Sequence, residues 1–252
     1  MPPGEVDRMG PGVREIQNIV ILTGAGISAE SGVATFRAAD GLWEGHKVEE
    51  VATPEGFARN PGLVHAFYDA RRARLGEVVP NAAHEALARL DAQWPGDLLI
   101  VTQNVDDLHE RAAAGSGRPP RLLHMHGELN SGWCLACGER FAWAGPMGEA
   151  ATCPSCHATG AVRPDIVWFG EMPYEMERIE QALRAADLFV SIGTSGAVYP
   201  AAGFVQTARY CGAHTVEINL EPSQGSIFFD EVRIGRAGDE VPKWVAALLA
   251  PL

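Results

Sequence analysis

Basic charge is scarce in this chain of 252 residues, which has 20 Lys and Arg side chains against 32 Asp and Glu side chains and a formal net charge of −12. Lysine itself occurs only at Lys47 and Lys243. Because nucleic-acid binding depends strongly on basic contacts to phosphates, this balance argues against a nucleic-acid partner. It suits a positively charged partner, such as a Lys- and Arg-rich protein segment.

Long apolar runs are also missing. The longest uncharged stretch, residues 188–208, contains Gly193, Gly196 and Pro200, so it indicates a strand, a glycine loop and a helix rather than a membrane span. Residues 1–15 contain three prolines and several charges, without the apolar segment of a secretory signal. We therefore expect a cytoplasmic protein with no membrane partner, and a monomer.

Short apolar segments of strand length alternate with amphipathic helical patterns. Continuously apolar strands between such helices are typical of a parallel sheet that is covered on both faces. The sequence therefore predicts an α/β fold with a Rossmann-like doubly wound parallel sheet. The predicted strands are residues 19–22, 98–101, 188–192 and 215–220, and the clearest helical patterns are residues 83–94 and 176–186.

Two stretches interrupt this alternation, and we expect them to form a smaller lobe inside one domain that covers residues 1–252. Residues 38–75 are predicted to be a helical insert, and residues 130–161 a loop-like zinc ribbon. The large Rossmann-like lobe would then comprise residues 1–37, 76–129 and 162–252.

Four of the five cysteines form two Cys-x-x-Cys pairs. Cys134 and Cys137 are followed, after fifteen residues, by Cys153 and Cys156. This spacing is typical of a tetrahedral Cys₄ zinc site, in which all ligands come from the protein and the metal is structural. Two disulfides are the alternative, but the missing secretory signal favours zinc. Cys211 is expected to be an ordinary buried thiol.

A glycine loop follows the first predicted strand. In residues 23–29 (TGAGISA), Gly24 and Gly26 would let the backbone approach a pyrophosphate at the start of a helix. Hydride-transfer dehydrogenases also need a second strand that ends in an acidic residue about 20 positions on. Residues 32–41 are instead a loop of small residues, which favours a bound dinucleotide without hydride transfer.

Further motifs carry a resemblance to a known family. Gly24-Ala25-Gly26-x-Ser28, Thr35-Phe36-Arg37, Thr102-Gln103-Asn104-Val105-Asp106, His126-Gly127, the four cysteines, Gly193-Thr194-Ser195 and Asn219-Leu220-Glu221 occur in sirtuin order. The match runs from about Asn18 to Ala237. The chain therefore resembles an NAD-dependent protein-lysine deacylase that uses NAD as co-substrate and contains one structural zinc.

The resemblance also implies which residues contact NAD. Asn104 and Asp106 would hold the nicotinamide and its ribose, with Gln103 positioning the ribose. Phe36 and Arg37 would belong to a cofactor loop. Asn219 would receive the adenosine ribose, although a simple turn role is the alternative. The full set implied is Gly24, Ala25, Gly26, Ser28, Ala29, Thr35, Phe36, Arg37, Trp43, Gln103, Asn104, Val105, Asp106, Gly193, Thr194, Ser195, Asn219, Leu220, Glu221 and Ala237.

His126 is followed by Gly127, a pair that resembles the catalytic motif of the family. The resemblance implies that His126 acts as a general base on a ribose hydroxyl, and that the products are lysine, nicotinamide and O-acyl-ADP-ribose. An imidazole with a pKa of about 6.5 suits this proton transfer. His124 would face the same side of a strand, so spacing alone does not separate the two histidines.

Tyr68-x-x-Arg71 is similar to a motif of the class III sirtuins that are common in bacteria. In that subgroup the two side chains bind a carboxylate on the acyl chain, which implies removal of succinyl, malonyl or glutaryl groups. A cationic fork and a hydroxyl one helical turn apart suit a buried acid. The alternative is that residues 71–74 form a solvated basic helix face.

Val167, Trp168 and Phe169 resemble the family strand that pairs with the acyl-lysine backbone of a protein or peptide substrate by β-addition, although core packing would also explain them. Three other functions stay open. They are a deacetylase without acidic-acyl preference, a sirtuin-type mono-ADP-ribosyltransferase, and a non-catalytic NAD-binding regulator.

Overall fold

The computed structural model describes residues 16–34, 42–43 and 45–250. Its strands are β1 (Asn18–Thr23), β2 (Leu42–Trp43), β3 (His46–Lys47), β4 (Asp97–Thr102), β5 (Leu122–His124), β6 (Gly127–Cys134), β7 (Arg140–Ala142), β8 (Val162–Ile166), β9 (Leu188–Ile192), β10 (His214–Asn219) and β11 (Glu231–Ile234). Its helices are α1 (Ala25–Ser28), α2 (Val48–Val51), α3 (Pro54–Arg59), α4 (Pro61–Leu75), α5 (Ala82–Gln93), α6 (Leu108–Ala113), α7 (Met176–Ala185), α8 (Phe204–Tyr210) and α9 (Ala237–Leu248). Within the described ranges, no helix is both long and apolar enough to span a bilayer.

Six parallel strands form the main sheet, in the order β11-β10-β9-β1-β4-β5. From β1 the chain first builds outward through β4 and β5, and it then returns to the other side of β1 with β9, β10 and β11. Ligands bind α/β sheets at such a reversal, beyond the carboxyl ends of the strands. The Rossmann-like prediction is confirmed.

Helices cover both faces of this sheet. On one face, Leu87 of α5 and Val241 of α9 pack with Ile21 and Val190 of the central strands. On the other face, α7 and α8 pack over the alternate strand residues, for example Leu183 against Phe189. The apolar character of β1, β4 and β9 follows from this burial on both sides, and it is why these three strands are recognisable in the sequence.

A smaller antiparallel sheet has the order β7-β6-β8. Helices α2 to α4 contribute to its core, where Val64 and Tyr68 pack with Leu129 and Ile166. Residues 130–161 are therefore not simply loop-like, because most of β6 and all of β7 lie in them. The predicted lobe boundaries stay a prediction, although β6 begins before residue 130 and β8 lies wholly after residue 161.

Candidate active site

A cavity of about 710 Å³ lies where the carboxyl ends of β1, β4, β9 and β10 face the small lobe. Most of the residues predicted to bind cofactor or substrate line it. They are Gly24, Ala25, Gly26, Trp43, Tyr68, Arg71, Gln103, Asn104, Val105, Asp106, His126, Val167, Trp168, Phe169, Gly193, Thr194, Ser195, Asn219, Leu220 and Glu221.

Three predicted cofactor residues are described but do not line this cavity. Ser28 is buried behind its wall, and Ala29 begins the short 3₁₀ turn after α1. Ala237 starts α9 and packs in the core beneath the sheet. Thr35, Phe36 and Arg37 lie outside the described residues.

The glycine loop of residues 23–29 and the loop after β9, which contains Gly193, are in contact at the end of the sheet. The backbone N of Gly26 donates to the carbonyl O of Gly193 over 2.9 Å, and the N of Gly24 donates to the O of Ile192 over 3.0 Å. A Cβ on Gly26 would lie 2.7 Å from the Cα of Gly193, and Gly193 itself has a φ of +63°. Gly26 and Gly193 are therefore needed for the contact between the two loops. This requirement is independent of any need for a ligand to approach the backbone.

Behind the loops, a buried hydroxyl organises the nearby polar side chains. The Ser28 hydroxyl donates to Asp106 over 3.0 Å and accepts from the Asn104 amide over 3.0 Å. The Nδ1 atom of His84 accepts from the backbone N of Asn81, so its Nε2 carries the hydrogen directed at Ser28, 3.4 Å away. Ser28 thus fixes Asn104 and Asp106 from behind instead of facing the cavity.

His126 presents a basic nitrogen to the cavity. Its Nδ1 lies 3.2 Å from the carbonyl O of Gln103, which can only accept, so Nδ1 carries the hydrogen. Burial lowers the pKa of His126, against the opposing effect of that hydrogen bond, and the neutral ring is favoured. In this tautomer Nε2 has a free lone pair, which is what a general base requires.

The surroundings of His124 instead favour the charged ring. Its Nδ1 donates to the carbonyl O of Asn104 over 3.0 Å, and its Nε2 lies 2.6 Å from a carboxylate oxygen of Glu110 and 3.6 Å from one of Glu128. Burial opposes the charged ring, but Glu110 outweighs burial and raises the pKa of His124. Both nitrogens are occupied, so His124 is unsuited to the base role that spacing alone left open.

Tyr68 and Arg71 of α4 share one wall of the cavity. Tyr68 is fully buried among aromatic rings, and its hydroxyl accepts a hydrogen bond from the indole of Trp168 over 3.0 Å. The Arg71 guanidinium packs against the rings of both Trp43 and Phe67, 4.3 and 3.6 Å from their centroids, and these rings are at 73° to each other. Stacking of this kind holds a guanidinium in a fixed orientation.

The interpretation of residues 71–74 as a solvated basic face is wrong. The Arg72 side chain is only 3% exposed and pairs with Asp69 over 2.6 Å. It also donates to the carbonyl O of Leu129. Arg71 and Arg72 point to different parts of the protein interior, and only Arg74 of the three is exposed.

Residues 167–169 do not form a strand, because β8 ends at Ile166. The Val167 N donates to the carbonyl O of His126 over 2.9 Å, and the Phe169 N donates to the O of Ala52 over 2.9 Å. A turn with Gly170 at a φ of +92° follows. The segment still lines the cavity, and Trp168 is also core, so the two explanations of its aromatic residues hold together.

Sequence reasoning missed the ion pair behind this turn. Arg163 donates to both carboxylate oxygens of Glu171, over 2.7 and 2.9 Å, and its Cζ lies 3.3 Å from the centroid of the Trp168 ring. It also missed Glu110 as the partner of His124. Neither pair has a spacing signal, because the partners come from different elements or flank an irregular turn.

The four paired cysteines converge on one point, with all Sγ atoms within 4.8 Å of one another. The Sγ atoms of Cys134 and Cys156 are 3.7 Å apart, and those of Cys137 and Cys153 are 3.8 Å apart. Zinc–sulfur bonds of about 2.3 Å in a tetrahedron imply about 3.8 Å between sulfurs, whereas a disulfide requires about 2.05 Å. The donor set fits a structural zinc and excludes the two disulfides.

Both Cys-x-x-Cys turns have the same backbone form. The carbonyl O of Cys134 accepts from the N of Gly138, and that of Cys153 accepts from the N of His157, each closing a tight turn around the sulfurs. Gly138 and His157 both have positive φ. The prediction of a buried thiol for Cys211 is wrong, because this residue caps the C-terminus of α8 and is exposed.

A Rossmann-like sheet and a small four-cysteine lobe that meet at one cleft are the architecture of Sir2 proteins. The Sir2 family model matches residues 24–200, well over half of the chain. The chain belongs to the Sir2 family.

Its relatives align with this chain over most of its length. The NAD-dependent protein deacylase of Pasteurella multocida is 58% identical over 233 residues, which are 92% of this chain and 97% of the relative. That of Salmonella typhimurium is 53% identical over 248 residues, 98% of this chain and 89% of the relative.

Solved structures of Sir2 homologues have the same fold as this chain. A Sir2 homologue in complex with NAD is 37% identical, with a TM-score of 0.81 over 94% of this chain and 92% of that one. A variant Sir2 homologue in complex with 2′-O-acetyl ADP ribose is 34% identical, with a TM-score of 0.81 over 94% of this chain and 95% of that one.

Proposed function

We propose that this chain, an NAD-dependent protein deacylase like its relatives, removes succinyl and malonyl groups from lysine side chains of proteins or peptides, with acetyl removal as a further activity. The observation that carries the acidic-acyl preference is the pairing of Tyr68 and Arg71 on one cavity wall. A guanidinium and a phenolic hydroxyl together can bind a carboxylate that is withdrawn from water.

The surroundings of Arg71 support this role. Its guanidinium is packed against the rings of both Trp43 and Phe67, so little side-chain freedom is lost when it binds an anion. Burial raises the pKa of Tyr68, so its hydroxyl stays protonated and able to donate at neutral pH. An acetyl group offers neither partner an acceptor at its end.

The cavity also fits NAD. The interlocked glycine loops leave Gly24, Ala25 and Thr194 on its surface without bulky side chains, and Asn104 and Asp106 are fixed there by Ser28. When bound, NAD supplies the ADP-ribose group that accepts the acyl group while nicotinamide leaves.

We assign the residue roles accordingly. His126 uses its Nε2 atom to take a proton from a ribose hydroxyl, while the Gln103 carbonyl keeps its Nδ1 hydrogen in place. Asn104, Asp106 and Gln103 hold the nicotinamide end. At the far end, the Asn219 amide donates to the Thr194 carbonyl O over 2.7 Å, which keeps the loops after β9 and β10 together around the adenosine.

The test compares matched succinyl-, malonyl- and acetyl-lysine peptides, with and without NAD, by mass spectrometry of peptides and nucleotide products. Faster NAD-dependent loss of succinyl than of acetyl, with O-succinyl-ADP-ribose formed, is the expected result. Arg71→Met should lower the ratio of succinyl to acetyl kcat/KM by about 10- to 100-fold, because it removes a charge-assisted contact.

Arg178→Met is the matched control, since it removes the same charge from an exposed position on α7 and should leave the ratio unchanged. Acetyl loss alone would replace the proposal with a deacetylase. ADP-ribose on protein without O-acyl-ADP-ribose would indicate a mono-ADP-ribosyltransferase. NAD binding without turnover of any peptide would indicate a regulator.

A further inference from the structure

The hydroxyl of Tyr68 has a fixed hydrogen-bond direction before any substrate arrives. Trp168 donates its Nε1 hydrogen to this oxygen over 3.0 Å, across 100 residues of sequence. A phenol that accepts one hydrogen bond still has its own hydrogen to donate. Because the indole occupies one side of the oxygen, the phenolic hydrogen is turned away from Trp168, and Tyr68 is one of the residues that line the cavity.

Trp168 is itself held at three points. Its backbone N donates to Glu171 over 2.8 Å, its ring face is covered by the Arg163 guanidinium at 3.3 Å, and its indole reaches Tyr68. Only 2% of the residue is exposed. The ring therefore has one orientation, and the position of its N–H is set by the ion pair behind it.

That ion pair also affects the net charge beside Tyr68 and Arg71, the two residues proposed to bind the acyl carboxylate and called the acyl site below. Glu171 lines the cavity and would repel an acyl carboxylate if it were unpaired. Arg163 binds both of its oxygens, and the Arg163 side chain is only 4% exposed and also donates to the carbonyl O of Ile166. The negative charge of Glu171 at the cavity is thus balanced by Arg163.

We propose that Trp168 is a positioning residue for acyl-group selection, which acts through its indole N–H on the Tyr68 hydroxyl and is held in place by the Arg163–Glu171 pair. This inference rests on the proposed preference for acidic acyl groups. It assigns Trp168 a role beyond contact with the substrate backbone.

The test is a double-mutant cycle of Trp168→Phe and Tyr68→Phe in the full chain. Calorimetry without NAD gives the Kd of succinyl-lysine and acetyl-lysine peptides, and kinetics with NAD give KM and kcat for both. Trp168→Phe keeps a ring but removes the N–H, and it should weaken selectivity for succinyl in Kd and KM by about fivefold, with a smaller effect on kcat. In the Tyr68→Phe background it should cause no further loss of selectivity.

Trp94→Phe is the matched control, since its indole donates to the carbonyl O of Gln17 far from the cavity. Equal loss of succinyl and acetyl binding in Trp168→Phe would overturn the inference, as would the same loss of selectivity with and without the Tyr68 hydroxyl. If Tyr68→Phe and Arg71→Met both leave selectivity unchanged, the proposed function fails, which is a different result from failure of Trp168→Phe alone.

A second variant keeps the test decisive if Trp168→Phe does not fold. Glu171→Gln preserves the shape of the side chain but weakens both the pair with Arg163 and the acceptor for the Trp168 backbone N. Because this variant also removes a negative charge beside the cavity, its coupling to Tyr68 is the readout: the loss of succinyl selectivity on Tyr68→Phe should be smaller in the Glu171→Gln background than in the wild type. The same loss of selectivity on Tyr68→Phe in both backgrounds, with a folded Glu171→Gln protein, would count against the inference.

Discussion

The Nδ1 atom of His126 lies 3.2 Å from the backbone carbonyl O of Gln103, the residue that immediately follows β4. The contact ties the side chain between β5 and β6 to the end of the neighbouring strand. It decides the tautomer, because a carbonyl accepts only. The nitrogen that remains unprotonated is the one available for chemistry in the cavity.

The pH dependence of turnover should follow from this environment. Only the neutral ring of His126 can take a proton, and burial lowers its pKa below the ordinary 6.5. The acidic limb of kcat/KM with a succinyl-lysine peptide should therefore have its midpoint below pH 6.5, and His126→Ala should lose about 10²- to 10⁴-fold in kcat. A midpoint above pH 6.5 would contradict the neutral assignment.

His124 should make stability depend on pH in the opposite sense. Its folded pKa is raised by Glu110, so the stabilisation is complete below the unfolded value of 6.5 and is lost as pH rises through the folded pKa. Glu110→Gln should lower the free energy of unfolding by about 1 kcal/mol at acidic pH, a value reduced by the partial exposure of Glu110, and by less at alkaline pH.

Denaturant unfolding of wild type and variant across this pH range measures the difference. The matched control is Glu77→Gln, an equal charge change at an exposed loop position. If the difference in unfolding free energy between wild type and Glu110→Gln instead grows with rising pH, the raised pKa of His124 is contradicted.

Parts of the fold were predictable because burial on both faces leaves a strong sequence signal. β1, β4 and β9 are continuously apolar over most of their length, whereas β10 (HTVEIN) has only Val216 and Ile218 as apolar residues. β11, with alternate residues exposed at the sheet edge, and β5, with three residues, have too little signal. The helix patterns of α5 and α7 matched within two residues because one apolar stripe faces the core.

The candidate site was predictable in its members but less so in its chemistry. Motif order placed most residues on the cavity wall, and cysteine spacing gave the zinc ligands. The contrast between His124 and His126 was not predictable from spacing, because it depends on Glu110 of α6. The link from Trp168 to Tyr68 likewise joins residues that become neighbours only when the small lobe folds.

The contact between the glycine loops gives a direct test of the cofactor site. A Cβ on Gly193 would lie 2.5 Å from the backbone N of Ile27, at a φ of +63°. Gly193→Ala should lower the free energy of unfolding by about 2–4 kcal/mol and weaken NAD binding measured by calorimetry. Gly115→Ala is the control, since no atom lies within 4 Å of its added Cβ. Unchanged NAD affinity in Gly193→Ala would show that the contact between the two loops is not required for cofactor binding.

Removal of zinc should weaken binding at the acyl site, because Asp69 connects the zinc-binding lobe to the helix that carries Tyr68 and Arg71. This carboxylate, on the same helix as Tyr68 and Arg71, accepts from the backbone N of Met147 over 2.8 Å and of Gly148 over 3.2 Å, in the loop before the second cysteine pair. A metal that orders this loop therefore also supports α4.

Cys153→Ser should lower the zinc content from one per chain to near zero and lower Tm, because a structural metal contributes its binding energy to folding. Since the loss is transmitted to α4, the KM for succinyl-lysine peptides should rise more than the KM for NAD. Cys211→Ser is the control, because that thiol is exposed and outside the cluster. Loss of zinc with no change in peptide KM would show that the Asp69 contacts hold α4 in place without the metal.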